Sequence, residues 1–154
     1  MFLGVNTVNL DAKGRMAIPA KHRGELADCC ASKVVVTINP NPGEKCLWLY
    51  PESEWTEIAR KLARLPNLKS QNRLFQRLLL GHASEQETDS QGRILISSEL
   101  REYAGLGKKV AVVGQGHKFE IWDEATWAGN RTEWLEEVAS PDGELSPELG
   151  ELLL

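Results

Sequence analysis

Apolar residues follow two rhythms along this chain. Val34-Val35-Val36-Thr37-Ile38 is β-branched throughout and predicts a buried strand, with Cys46 to Tyr50 as its partner across the loop Asn39-Pro40-Asn41-Pro42-Gly43-Glu44-Lys45. Val110-Ala111-Val112-Val113 and Lys118 to Trp122 predict a second such pair, joined by the tight Gly114-Gln115-Gly116-His117. Residues 2–10 mix Phe2, Val5, Val8 and Leu10 with Asn6, Thr7 and Asn9, a weaker strand pattern. The other rhythm is helical: Trp55, Ile58, Ala59, Leu62 and Leu65 share a spacing that Pro66 ends, and Leu74, Phe75, Leu78 and Leu79 mark a second helix. Trp127, Trp134, Leu135 and Val138 predict a third. Ser140-Pro141-Asp142-Gly143 breaks that helix, and Leu145 to Leu154 is expected to be an acidic, leucine-bearing tail with little order of its own.

One stretch organises the rest. Asp11-Ala12-Lys13-Gly14-Arg15 recurs 78 positions on as Asp89-Ser90-Gln91-Gly92-Arg93, followed in turn by Met16-Ala17-Ile18 and Ile94-Leu95-Ile96. An acid that bonds the turn's own amides and a glycine that takes positive φ predict a β-hairpin in each copy. A short helix follows each, opened by Pro19, whose missing N–H is harmless in a first turn, or by Ser97-Ser98-Glu99. Further on, Leu47 to Trp55 parallels Phe119 to Trp127 at an offset of 72, the first copy having the longer loop. Each half therefore reads as hairpin, short helix and two strands. Two copies are too few to stack as a solenoid, so a duplicated half-domain closing on its twin is expected. The expected boundaries are 5–54 for the first half, 55–82 for a helical connector, 83–126 for the second half and 127–154 for a C-terminal helix and acidic tail.

Composition changes this picture only in places. The 154 residues, 42% hydrophobic and 26% charged, can bury one sizeable core. No segment approaches the roughly 18 apolar residues of a membrane span and the start lacks a basic leader, so a cytoplasmic protein is expected. Cys29, Cys30 and Cys46 form no C-x-x-C pair and leave an odd thiol, which argues against zinc and against a disulfide framework. The net charge of −4 argues at first sight against a polyanionic partner. Its distribution removes that objection: from Glu120 onward only Arg131 offsets ten acids, whereas residues 56–80 carry Arg60, Lys61, Arg64, Lys69, Arg73 and Arg77 against Glu57. His22, His82 and His117 are scattered, no triad order is present, and neither a Walker A loop nor a dinucleotide fingerprint occurs. The expectation is a non-enzyme without cofactor, metal or small-molecule substrate.

Two D-x-x-G-R turns, each leading into an apolar strand and a helix, with Leu78-Leu79-Leu80-Gly81-His82-Ala83-Ser84 before the second, closely resemble the MraZ family of bacterial transcription regulators. The resemblance spans nearly all of the chain up to about Trp127. It implies an α+β, mainly β fold: duplicated AbrB-like half-domains forming a pseudo-twofold swapped-hairpin β-barrel, with connecting and C-terminal helices. It further implies a nucleoid-associated homo-oligomeric ring that binds tandem G-rich repeats in the promoter of the division and cell-wall gene cluster, most simply as a repressor. The family's DNA-contacting D-x-x-x-R element falls here on Asp11 with Arg15 and on Asp89 with Arg93. Gln91 stands where the first copy has Lys13, which removes a charge from the second motif and predicts unequal use of the two halves.

Physical chemistry supports these residues without settling their role. A guanidinium on a rigid hairpin tip can bond a phosphate or the O6/N7 edge of guanine in a bidentate way, which makes Arg15 the leading candidate and Arg93 its mate. Asp11 and Asp89 can fix those arginines without touching DNA, and the same residues also build an ordinary turn with no ligand at all. Lys13 suits a phosphate better than a base. Lys21 and Arg23 extend the basic face or simply solvate their helix. The basic central helices offer a rival location for DNA, although charge on an amphipathic helix commonly faces solvent or pairs between protomers. The five tryptophans, at apolar positions, fit core or subunit interface better than base stacking. Two further roles stay open: an antitoxin-like regulator, and an interaction scaffold in which the turns are purely structural.

Overall fold

The computed structural model describes residues 1–140 and 144–153. Its strands are β1 (Val5–Asn9), β2 (Arg15–Ala17), β3 (Lys33–Ile38), β4 (Leu47–Pro51), β5 (Ser84–Glu87), β6 (Arg93–Leu95), β7 (Lys109–Gly114) and β8 (Phe119–Asp123). The helices are α1 (Ala20–Cys30), α2 (Glu52–Ala63), α3 (Ser70–Phe75), α4 (Ser98–Tyr103), α5 (Glu124–Val138) and α6 (Pro147–Leu153), and α3 continues into a π-helical turn at Gln76–Leu80. Contacts divide the chain into two compact units, Met1–Glu124 and Ala125–Leu154.

The first unit is the duplicated α+β, mainly β fold, and its halves exchange hairpins. A six-stranded antiparallel sheet runs β1-β7-β8-β4-β3-β5, and a separate two-stranded ribbon pairs β2 with β6. The first hairpin thus lies on β7 of the second half, and the second hairpin lies on β3 of the first. Register locates the pseudo-twofold. At the sheet's centre Trp48 faces Glu120, and in the ribbon Met16 faces Ile94, each residue opposite its own repeat counterpart. The hydrogen-bond ladders do not close: the expected barrel is an open six-stranded sheet capped by the ribbon. The two are joined through the hairpins, including an isolated Leu10–Met16 bridge.

Period-two alternation explains why the central strands read as unbroken apolar runs. Val34, Val36 and Ile38 face a core shared with Leu47, Leu49, Val110, Val112, Phe119 and Ile121, roofed by Met16, Ile18, Ile94 and Ile96 of the hairpin segments. Val35 and Tyr50 face the other way, against Trp55, Leu62 and Leu79 of α2 and the π-helical turn. Thr37, fully buried, donates its hydroxyl to the Leu79 carbonyl at 2.8 Å, so its polar atom is satisfied on that face. Burying a side chain the size of Leu49 contributes roughly 1.5–3 kcal/mol, which is what drives both faces shut.

Three sequence expectations are corrected here. Cys29 and Cys30 are joined by a disulfide at the end of α1, where none was expected. A bridge between neighbours closes almost no loop, so it is no framework. The helix after the first hairpin is not short: α1 runs 11 residues, with Pro19 as its cap, and ends in left-handed Ala31 and Ser32. The C-terminal tail, expected to lack order, forms α6 over Pro147–Leu153. The break placed at Ser140-Pro141-Asp142-Gly143 lies, but for Ser140, outside the described residues. In the second unit Trp127 and Trp134 meet edge to face at 5.6 Å. Among the described residues no helix is long and apolar enough to cross a membrane.

Candidate nucleic-acid interface

Each D-x-x-G-R turn is built from its own sequence. Asp11 Oδ1 accepts the backbone N–H groups of Lys13 and Arg15 at 2.9 and 2.8 Å, its Oδ2 accepts Arg15 Nε at 2.9 Å, and Gly14 N–H returns to the Asp11 carbonyl at 3.0 Å. The second copy repeats this almost atom for atom: Asp89 Oδ1 accepts Gln91 and Arg93 N–H, each at 2.9 Å, and Oδ2 accepts Arg93 Nε at 2.9 Å. The glycines stand at φ +86° and +72°, the left-handed region that a side chain resists. The Arg15 backbone N–H first, then the Arg15 guanidinium and the Lys13 N–H, hold the Asp11 carboxyl below the usual carboxylate range, and Arg93 and Gln91 do the same for Asp89. Both aspartates are therefore ionised at neutral pH, and each fixes one edge of its arginine.

Register then brings the two arginines together. In the ribbon Arg15 lies opposite Leu95 and Arg93 opposite Ala17, so all four side chains share one face while Met16 and Ile94 fill the core from the other. Arg15 and Arg93 are diagonal neighbours on that face, a relation that sets their positions roughly 7–8 Å apart. Their side chains are 35% and 30% exposed, so the guanidinium edges not held by aspartate stay accessible. The outcome is a rigid pair of forked cations on a two-stranded ribbon.

The remaining candidates separate. Lys13 is exposed at the first turn, and its counterpart is the neutral Gln91. Lys21 sits beside Gly4; its counterpart in the second half is Glu99, whose carboxylate lies 3.5 Å from His82 Nε2. The first half is thus the more basic at both positions. Arg23 bridges the halves: it packs on Gly92 of the second turn and donates Nε to the Ile18 carbonyl of its own half at 2.9 Å. Arg101, one repeat further along than Arg23, packs in the same way on Gly14. Sequence reasoning missed it, although the 78-residue offset from Arg23 was sufficient to find it. On the central helices, Arg60 pairs with Glu57 at 3.4 Å and Arg73 donates to the Asn67 carbonyl at 2.6 Å, so part of that basic run is engaged locally. Trp122 and Trp55 are buried, as core residues should be. Among the described residues no cluster of His, Cys, Asp or Glu is arranged to hold a metal.

A duplicated β protein whose halves swap hairpins, and whose two aspartate-braced arginines share one outward ribbon face, defines a class of pseudo-twofold, hairpin-presenting protein. The chain belongs to the MraZ family. The family model described as "MraZ protein, putative antitoxin-like" matches residues 1–78 and 79–139, one repeat each. The transcriptional regulator MraZ of Halorhodospira halophila is 51% identical over 154 residues, covering 100% of both chains. That of Methylococcus capsulatus is likewise 51% identical, with 99% of each chain covered, and that of Coxiella burnetii is 47% identical over the full length of both.

Proposed function

We propose that this protein is a sequence-specific regulator of transcription that binds double-stranded promoter DNA through the paired hairpin tips. The observation that carries the reading is the shared outward face of Arg15 and Arg93, each held in one orientation by its aspartate. A fixed guanidinium is the side chain suited to reading guanine in the major groove, and a two-stranded ribbon is one of the elements that groove admits. Its relatives' name, transcriptional regulator, points the same way. Lys13 supplies a phosphate contact at the first tip, and the second tip, with Gln91, is the weaker of the two. Asp11 and Asp89 position the arginines and do not touch DNA.

The finer reading is a repressor of the division and cell-wall cluster promoter, held at tandem G-rich repeats as a ring in the nucleoid. A protomer with net charge −4 and two recognition arginines binds weakly alone. Linked copies matched to repeat spacing multiply affinity by roughly 10²–10⁴. The test is an anisotropy titration of wild type and Arg15→Ala against the promoter upstream of the protein's own gene and against a scrambled duplex. Specific binding lost in the variant, with the oligomer intact on a sizing column, is the expected result. Undiminished specific binding refutes recognition by the first tip, and a wild type that binds neither duplex leaves the interaction scaffold as the role to pursue.

A further inference from the structure

The two hairpin turns are not finished by their own halves. A Cβ added at Gly92 would collide with Nε of Arg23 and stand 2.8 Å from its Cδ and Cζ, and one added at Gly14 would stand 3.0 Å from both Cζ and Nε of Arg101. Each glycine is thus the seat of an arginine from the opposite half. The pair is symmetric in place but not in bonding. Arg23 Nε donates to the Ile18 carbonyl, whereas Arg101 Nε is buried and, among the described residues, has no acceptor. A buried cationic N–H without an acceptor is costly enough that native structures nearly always supply one, from protein, water or ligand.

Arg101 lines an open notch of about 530 Å³ beside the first turn, together with Lys108, Gly107, Asp11 and Ala12. The Asp11 charge is already taken by Arg15, so Arg101 and Lys108 set the sign of the notch. Its counterpart beside the second turn, about 370 Å³, is lined by Arg23, Thr88, Asp89 and Ser90. There the arginine is already committed to a carbonyl and no lysine lines the wall.

Building on the DNA-binding role above, we propose that Arg101, with Lys108, forms a phosphate-backbone site that completes the first recognition tip from the second half of the chain. The tip is then a composite: Arg15 and Lys13 come from one repeat, Arg101 and Lys108 from the other. Duplex phosphodiester is the ligand, because the notch is walled by Asp11 and Ala12 of the turn that carries the proposed base-reading arginine. A phosphate contact there sets register without reading sequence.

The experiment compares wild type, Arg15→Ala, Arg101→Gln, Arg101→Lys and Arg23→Gln for binding to the specific and scrambled duplexes between 50 and 200 mM salt. Losing one phosphate contact lowers the slope of log K against log salt by about 0.9 per bound protomer, so the gap between wild type and Arg101→Gln narrows roughly three- to fourfold across that range. Expected are that loss in Arg101→Gln with an unchanged ratio of specific to scrambled affinity, recovery of the slope in Arg101→Lys, and a wild-type slope in Arg23→Gln. An Arg101→Gln slope equal to wild type, while Arg15→Ala loses specific binding, overturns this proposal alone. Absence of specific binding by wild type overturns the DNA reading itself. Should Arg101→Gln fold poorly, the Arg101 Nε–H resonance of the wild-type protein, identified by its disappearance in Arg101→Lys, is expected to shift on adding duplex and not on adding millimolar inorganic phosphate. No shift with duplex, or a saturating shift with inorganic phosphate alone, overturns the site.

Discussion

Replacing Gly14 with alanine tests whether the repeat glycine serves the turn alone or also the contact between halves. Gly14 stands at φ +86°, and a Cβ would lie 2.7 Å from the Ile96 carbonyl oxygen and 3.0 Å from the Arg101 guanidinium. The left-handed backbone costs an alanine roughly 1–2 kcal/mol wherever it occurs. Here the methyl must also push back a backbone carbonyl next to the Ile96 N–H that donates to the Gly14 carbonyl at 2.8 Å, a cross-half bond whose loss adds roughly 0.5–1.5 kcal/mol. The total is about 1.5–3.5 kcal/mol. Gly43, at φ +77° with no atom within 4 Å of its added Cβ, isolates the backbone part, and Gly43→Ala is expected to cost only about 1–2 kcal/mol. Gly92→Ala falls between them, because its nearest obstacle is the Arg23 side chain, which can move at the loss of its bond to Ile18. Urea unfolding of the three variants, compared at constant m-value, gives the order directly. A Gly14→Ala within about 0.5 kcal/mol of Gly43→Ala would refute the cross-half packing, since the backbone term is then all there is.

Other consequences are separately measurable. His22 is packed between Phe2 and Phe119, with ring centroids 5.5 and 4.9 Å away, and burial lowers its pKa. A depressed folded pKa means that its contribution is complete above the unfolded value of about 6.5 and lost as pH falls through that window. The variant His22→Leu, which copies Leu100 at the matching place in the second half, should flatten the stability profile between about pH 7 and 5. Asp11 and Asp89 have lowered pKa values, so their contribution is present above about pH 4 and lost below it. Melting temperature followed against pH should show a shallower acid limb in Asp11→Asn/Asp89→Asn. Burial pushes the Cys46 thiol up to about 12, so a water-soluble thiol reagent should leave Cys46 unmodified in the native protein and label it only after denaturation. Leu49→Ala, at a fully buried position of the central sheet, should cost about 2–5 kcal/mol in the same urea assay.

Much of the architecture was legible in the residues because its signals are local. The Asp and Gly of each turn, the β-branched run at Val34 to Ile38 and the helical spacing from Trp55 to Leu62 each act within a few residues, and the structure places strand or helix there. Repetition made the duplicated half-domain legible too, since two copies of one turn at one offset demand one local geometry twice. The tail misled because Leu145 to Leu154 offered no packing partner in sequence, yet Pro147–Leu153 is a helix. Adjacent cysteines gave no spacing argument, so the Cys29–Cys30 bond was not foreseen.

The sequence by itself determined the parts: two turns that bind their own arginines, the apolar triplet after each, two strand pairs and the helices between them. Only the tertiary structure decided which half each part would join. Hairpin one could lie on its own β3 or on β7, and nothing local distinguishes Val34-Val35-Val36 from Val110-Ala111-Val112 as a partner. Exchange places Met16 opposite Ile94, which sets Arg15 and Arg93 on one face and seats Arg23 and Arg101 on the opposite turns. Those relations depend on residues some 78 positions apart meeting in register. Burial of a shared apolar core fixes that register, because a slip of either ribbon strand by one residue would turn its Met16 or Ile94 to solvent and its arginine inward.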